Sequence, residues 1–245
     1  GPGLRPVTIP DGTGSYNFGQ QRVATTRVAT FTVYNYGSTD LSLSGSPRVA
    51  ISGTSRITVH SQPSSLVVPG GLSTFRLAFS PTGVGSSTGT VSIANNDRDE
   101  NPYTFTVSGT GVASEIAVFD FQEQPVPLGA DGIYLGESPY GAISYALERV
   151  FTVTNTGSAS LNLNGSPRVA LSNIDGGQFS ITQQPAAAVA PGGQTSFTIR
   201  FQATQTEMAY ATVTIQNDDP NEDPFTFEVE GDGQWWGLII GSTQR

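Results

Sequence analysis

Residues 31–50 read FTVYNYGSTDLSLSGSPRVA, and residues 151–170 read FTVTNTGSASLNLNGSPRVA. Fourteen of the twenty positions are identical, and the copies start 120 residues apart, from 31 to 151. A repeat at that spacing makes the 245-residue chain two copies of one unit, each long enough to bury its own core. In the first copy Ala29, Phe31 and Val33 alternate with Val28, Thr30 and Thr32, the period-two pattern of a half-buried strand with Phe31 and Val33 inward. Asn35-Tyr36-Gly37 ends that strand with residue types that tolerate the positive φ of a turn.

Outward from this stretch the same grammar continues. Leu41 and Leu43 form a short strand, Gly45-Ser46-Pro47 turns the chain, and Val49, Ile51, Ile57 and Val59 come next. Residues 61–71 read as a loop with Leu66 and Val68 dipping inward. Phe75, Leu77 and Phe79 make a clear strand, and Val91 and Ile93 should pair with Tyr103, Phe105 and Val107 across the polar loop 95–102. Upstream, Pro6 and Pro10 bracket Val7-Thr8-Ile9, which suits an edge strand, and residues 11–15 read as a turn. The second copy repeats the plan through Leu161 and Leu163, Phe179 and Ile181, Phe197 to Phe201, and Phe225 to Val229. No 3.6-residue period persists. Short strands about ten residues apart indicate all-β architecture, two tandem immunoglobulin-like β-sandwiches. The expected bounds are 1–112 for the first sandwich, 113–233 for the second, and an apolar tail over 234–245. The second sandwich carries an enlarged N-terminal loop, 119–147, with Tyr134, Tyr140 and Tyr145. Such a loop either covers a sheet edge or offers a binding surface.

Composition narrows the function. Net charge is −9, which argues against nucleic-acid partners. All eleven basic residues are Arg. Without Lys there is no Schiff base, no P-loop lysine and no Lys–Asn isopeptide staple. Zero Cys removes disulfides and thiolate chemistry. No run of 18 or more apolar residues is long enough to span a bilayer.

The order of signals is an N-x-G turn (Asn35-Tyr36-Gly37 and Asn155-Thr156-Gly157), a Leu-x-Leu strand, Pro-Gly-Gly before an F-x-L/I-x-F strand, an Asn-Asp loop, and a closing Ser108-Gly109-Thr110-Gly111. It resembles the choice-of-anchor D repeats of bacterial surface proteins, which are similar to the immunoglobulin-like domains shared by the ASPM, SPD-2 and hydin proteins. The resemblance implies an extracellular, non-catalytic module used in tandem arrays, and it carries over no catalytic residue. The second unit departs at its close, where Glu230-Gly231-Asp232-Gly233 stands instead.

Candidate sites are few. His60 is the only histidine and has no repeat counterpart, so catalysis through it lacks an orienting partner. The loops Asp97–Glu100 and Asp218–Asp223 cluster oxygen ligands of the kind Ca²⁺ takes, yet Asn, Asp and Pro are equally what turns prefer. Asn164-Gly165-Ser166 fits a glycosylation pattern, and its Asn-Gly fits a turn better. Neither a catalytic constellation nor a cofactor motif is recognisable.

The tail, QWWGLIIGSTQR over 234–245, is the most apolar run of the chain. Trp235, Trp236, Leu238, Ile239 and Ile240 put apolar groups on both faces of any strand they form, so such a strand expects cover on both sides. Each side chain gains roughly 1.5–3 kcal/mol on burial. The tail folds back on its own domain, adds as a strand to a neighbouring subunit, or leads into a third domain. The leading expectation is a secreted, non-enzymatic subunit of a cell-surface filament, joined head to tail and without covalent links. The alternative is an adhesin or carbohydrate-binding module that meets a glycan or protein ligand through 119–147.

Overall fold

The computed structural model describes residues 7–140, 145–174 and 178–235. The chain is all-β and forms two tandem immunoglobulin-like sandwiches, compact over Gly1–Val112 and Ala113–Arg245.

Unit 1 holds β1 (Ser15–Arg22), β2 (Arg27–Tyr34), β3 (Leu41–Ser42), β4 (Val49–Ser52), β5 (Ile57–Ser61), β6 (Leu66–Val67), β7 (Leu72–Phe79), β8 (Gly85–Ile93) and β9 (Tyr103–Val112). One sheet runs β1-β9-β8-β4 and the other β2-β7-β5, with β3-β6 as a short ribbon. Strand alternation delivers the core: Phe31, Phe75, Leu77, Phe79, Val91, Phe105 and Val107 are all buried. Val91 lies opposite Phe105 and Ile93 opposite Tyr103, as the spacing predicts.

Unit 2 holds β10 (Ile116–Phe119), β11 (Pro125–Val126), β12 (Ala130–Pro139), β13 (Leu147–Asn155), β14 (Leu161–Asn162), β15 (Val169–Ser172), β16 (Phe179–Gln183), β17 (Ala188–Val189), β18 (Gln194–Phe201), β19 (Met208–Ile215) and β20 (Phe225–Gln234). Its sheets run β12-β20-β19-β15 and β11-β10-β13-β18-β16, with β14-β17 as the ribbon. Phe151, Phe197, Phe201 and Phe227 fill the core with no exposed surface beyond 1%.

Three local expectations are corrected. Residues 7–10 form no strand: the Gly14 N–H closes on the Pro10 carbonyl at 2.8 Å, and the Tyr103 hydroxyl donates to the Ile9 carbonyl. The first strand is β1, parallel to β9, and a bulge at Gly19 (φ 75°) breaks its alternation. Val67, not Leu66 or Val68, points inward, because pairing with β3 sets it opposite Leu41. Segment 119–147 is not a loop. It contains β11 and β12, and β12 runs parallel to β20 as β1 does to β9. Gly132 and Gly136, both at positive φ, place bulges in β12 that hide its period.

The N-x-G turn works differently from the expectation as well. None of Asn35, Gly37, Asn155 and Gly157 has positive φ. Asn35 Nδ2 donates to the Thr39 and Val67 carbonyls while its Oδ1 accepts from the Gly37 N–H, and Asn155 repeats all three bonds. The asparagine is a buried cross-brace that ties the strand end to the ribbon, which satisfies its amide completely.

Candidate functional site

Among the described residues the two units differ along the edge of β13 and its counterpart β2. In unit 2 the segment Ala113–Phe119 lies along the edge of β13, with Ile116 opposite Asn155 and Phe119 opposite Thr152. The Ala113 carbonyl accepts from the Ser158 and Ala159 N–H groups at 2.8 Å, and the Thr156 N–H donates to the Glu115 carbonyl at 2.9 Å. The Ile116 N–H donates to Asp219 Oδ2 at 2.7 Å, and the Ser114 hydroxyl donates to the Asp218 carbonyl at 2.9 Å. Ser114, Ile116 and Val118 are buried. The segment therefore fills a slot bounded by the β13 edge, the N-x-G turn and the Asn-Asp loop.

Unit 1 presents the same frame. Its β2 is the counterpart of β13 and pairs on one side only, with β7, among the described residues. Phe31, Asn35 and Asn95 keep 8%, 6% and 7% exposure where Phe151, Asn155 and Asn217 have none. Asp97 is exposed where Asp219 is buried. A cleft of about 280 Å³ opens between the turn and the loop, bordered by Gly37, Thr39, Asp40, Asn96, Asp97 and Arg98.

The glycine of the turn carries the same difference. A Cβ on Gly157 would stand 2.5 Å from the Ala113 oxygen and 2.6 Å from the Glu115 nitrogen, so the segment's approach excludes any side chain. A Cβ on Gly37 would meet only Asn35 Oδ1, at 3.2 Å. Neither φ demands glycine. Within the described residues, the reason for glycine at 157 has no equivalent at 37.

The acidic loops resolve into a clamp. Glu115, Asp219 and Glu222 bring carboxylate oxygens within 4.8 Å of one another. Asp219 already accepts from the Ile116 and Asn221 N–H groups, so it works as a brace for the strand. Burial and then the charge of Asp219 raise the Glu115 pKa; burial, then Asp219 and Glu115, raise that of Glu222. A carboxyl whose folded pKa lies above its unfolded value costs stability while ionised, and that cost is relieved as pH falls through the folded value. Acidification from pH 7 to pH 5 should therefore raise the melting temperature of the wild-type chain relative to Glu222→Gln. Thermal melts at the two pH values check this.

The expected site residues fall into three groups. Trp236, Leu238, Ile239 and Ile240 lie outside the described residues. Trp235 comes directly after β20, is 71% exposed, and its ring lies 6.2 Å from that of Tyr140. Tyr134, Tyr140 and Tyr145 are all exposed. Burial and then the charges of Glu137, Asp232 and Glu230 raise the Tyr134 pKa. The Tyr145 carbonyl accepts from the Ser138 hydroxyl. His60 is exposed at the end of β5. Asn164 Nδ2 donates to the Asn217 carbonyl, a contact across to the Asn-Asp loop. Sequence reasoning missed the slot itself, because Ala113–Phe119 looks like a linker until β10 is seen paired.

Residues 13–110 match the HYDIN/CFA65/VesB-like Ig-like domain, and residues 146–236 match DUF4232, a domain of unknown function. No curated protein matches the chain. Among solved structures, a protein of unknown function from Porphyromonas gingivalis W83 is 14% identical, covering 86% of this chain and 93% of its own, at TM-score 0.35. The ASH/PapD-like domain 7 of human CEP192 is 10% identical over 51% and 89%, at 0.35. The Vibrio cholerae VesB protease is 13% identical over 72% and 61%, at 0.34. Scores this low add no argument on function.

Proposed function

We propose that the chain, built of two modules similar to choice-of-anchor D repeats, is a non-enzymatic structural subunit of an extracellular cell-surface filament assembled without covalent links by strand addition. The observation that carries this reading is the edge of β2, unpaired among the described residues where its repeat counterpart β13 is covered by β10. An added strand gains main-chain hydrogen bonds along such an edge and specificity from alternate side chains entering the core. The outer face beside the edge is apolar too: Tyr34, Tyr36 and Leu72 are exposed there, and the Tyr34 and Tyr36 rings stack at 5.7 Å. A tail apolar on both faces suits a site apolar on both faces. A contact from the C-terminus of one copy to the first unit of the next is heterologous and does not close, which yields filaments.

Deleting residues 235–245 should leave a folded chain that sediments as a monomer at every concentration, while the intact chain grows with concentration. Identical sedimentation of the two would end this reading. The exposed Tyr140–Trp235 pair favours a second reading, a glycan-binding module, since sugars stack on such rings. Under that reading Tyr140→Ala abolishes binding on a glycan array and leaves assembly untouched.

A further inference from the structure

We infer that the outer face of the sheet β12-β20-β19-β15 is a docking surface for an extended basic polypeptide, whose alternate Arg or Lys side chains meet Glu228, Glu230 and Asp232 along β20. The register sets Tyr134 and Tyr210 on either side of Glu230, and Glu137 and Met208 on either side of Asp232. Directly opposed residues point to the same face, so these side chains stand together outside the sheet while Phe227 and Val229 are buried in the core. Unit 1 supplies the control. Its equivalent positions are Asn17, Ser108 and Thr88 in the first row and Gln20, Thr110 and Ser86 in the second. One sheet architecture thus folds with neutral side chains in unit 1 and carries tyrosines and carboxylates in unit 2, so the fold does not demand the latter. Strands β12, β15, β19 and β20 hold five carboxylates, Asp131, Glu137, Glu228, Glu230 and Asp232, and no Arg. Their counterparts β1, β4, β8 and β9 hold no carboxylate and one Arg, Arg22. The imbalance runs through the units: seven Arg stand against five carboxylates over 1–112, and four Arg against fifteen over 113–245.

The face offers three stations along β20. Beside Glu228 a cleft of about 200 Å³ is bordered by Asp131, Thr212 and Thr226. Two residues on, Tyr134 and Tyr210, 44% and 45% exposed, stand one strand to each side of Glu230. A guanidinium or ammonium is attracted both to such ring faces and to the carboxylate between them. A Cβ on Gly132 would stand 3.0 Å from Glu230 Oε2, so the bulge glycine of β12 gives that carboxylate its seat. Burial and then the charges of Glu137, Asp232 and Glu230 raise the Tyr134 pKa, which puts three carboxylates within reach of one phenol. The third station is the pair Glu137 and Asp232. Alternate residues of a strand lie about 6.8 Å apart, the same interval as the side chains on one side of an extended partner. A chain laid along β20 with a basic residue at every second position therefore brings one cation to each station. That match of interval, together with the charge, favours a polypeptide over a cationic glycan.

Calorimetric titration of the dilute full chain tests this with two peptides of one composition, Ser-Arg-Ser-Arg-Ser-Arg-Ser and Ser-Ser-Arg-Arg-Arg-Ser-Ser. The alternating peptide should bind more tightly than the blocked one, and its affinity should fall as salt is added. Tyr134→Asn, Glu230→Ser and Tyr210→Thr install the residues that unit 1 carries at these positions. Each should weaken binding about threefold, the scale of an exposed cation–π contact or ion pair, and the three together about thirtyfold. Circular dichroism checks that the triple variant is folded; should it not be, Glu230→Gln, which keeps the side chain's shape, must still weaken binding about threefold. Equal affinity for the two peptides would overturn the match of interval, and unchanged affinity in the folded triple variant would overturn the face. Preference for a chitosan oligosaccharide over either peptide would overturn the polypeptide partner. Binding seen only in a chain ending at residue 234 would make the chain's own tail the occupant, and no binding by either chain would overturn the docking surface itself.

Discussion

Gly157→Ala should destabilise unit 2 by about 2–3 kcal/mol, the scale of a forced overpacking, while Gly37→Ala should cost no more than about 0.5 kcal/mol in the monomer. The two glycines are repeat equivalents with the same backbone role. At 157 the added methyl runs into backbone atoms of Ala113, Ser114 and Glu115 at 2.5–2.7 Å. Backbone cannot step aside as a side chain can, so the segment must lift and with it the pairing of β10 to β13. At 37 the methyl meets only a side-chain oxygen at 3.2 Å. If the slot of unit 1 receives a strand from another copy, the penalty reappears there as lost assembly. Gly37→Ala should sediment as a stable monomer at concentrations where the wild type associates. Urea unfolding monitored by hydrogen exchange, which reads the units separately, measures the first half of this prediction.

The second large effect lies in the core. Gly231→Val should cost about 3 kcal/mol or more, because the Cβ position is 2.5–2.7 Å from three carbons of the Phe201 ring and Phe201 has no exposed surface into which to move. Phe201→Ala alone should cost about 3–5 kcal/mol through the cavity it leaves. Joined, the two changes should cost less than their sum, since the valine occupies part of that cavity. Gly109 faces the ring of Phe79 in the same way at 2.6–2.9 Å, so unit 1 should repeat the pattern with Gly109→Val. Strict additivity in a double-mutant cycle would show that the glycine is not placed by the ring.

Strands are legible in a sequence where their alternation is unbroken. In Phe75-Leu77-Phe79 and Phe197-Ile199-Phe201 both the strand and its inward face can be read, and these residues belong to the two cores. β1 and β12 escape because glycine bulges at Gly19, Gly132 and Gly136 shift the period partway along. β6 escapes by one residue because a two-residue strand has no period, and only its partner β3 decides that Val67 faces in. The Asn-x-Gly turn is legible as a strand end but not for its reason, which is a buried amide brace and not a backbone conformation. The slot is hidden for a different cause. A first strand of four residues, Ile116–Phe119, carries little pattern of its own, and its significance lies in a comparison between units. The tail stands out through composition alone.

The most direct measurement is amide hydrogen exchange over residues 27–36, read by mass spectrometry in dilute monomer and in concentrated sample, with a chain ending at residue 234 alongside. The account predicts fast exchange at the edge of β2 that has no partner among the described residues in the monomer, strong protection in the concentrated intact chain, and no protection at any concentration once the tail is removed. Slow exchange over 27–36 already in the dilute monomer, unchanged by concentration or by the tail, would contradict it.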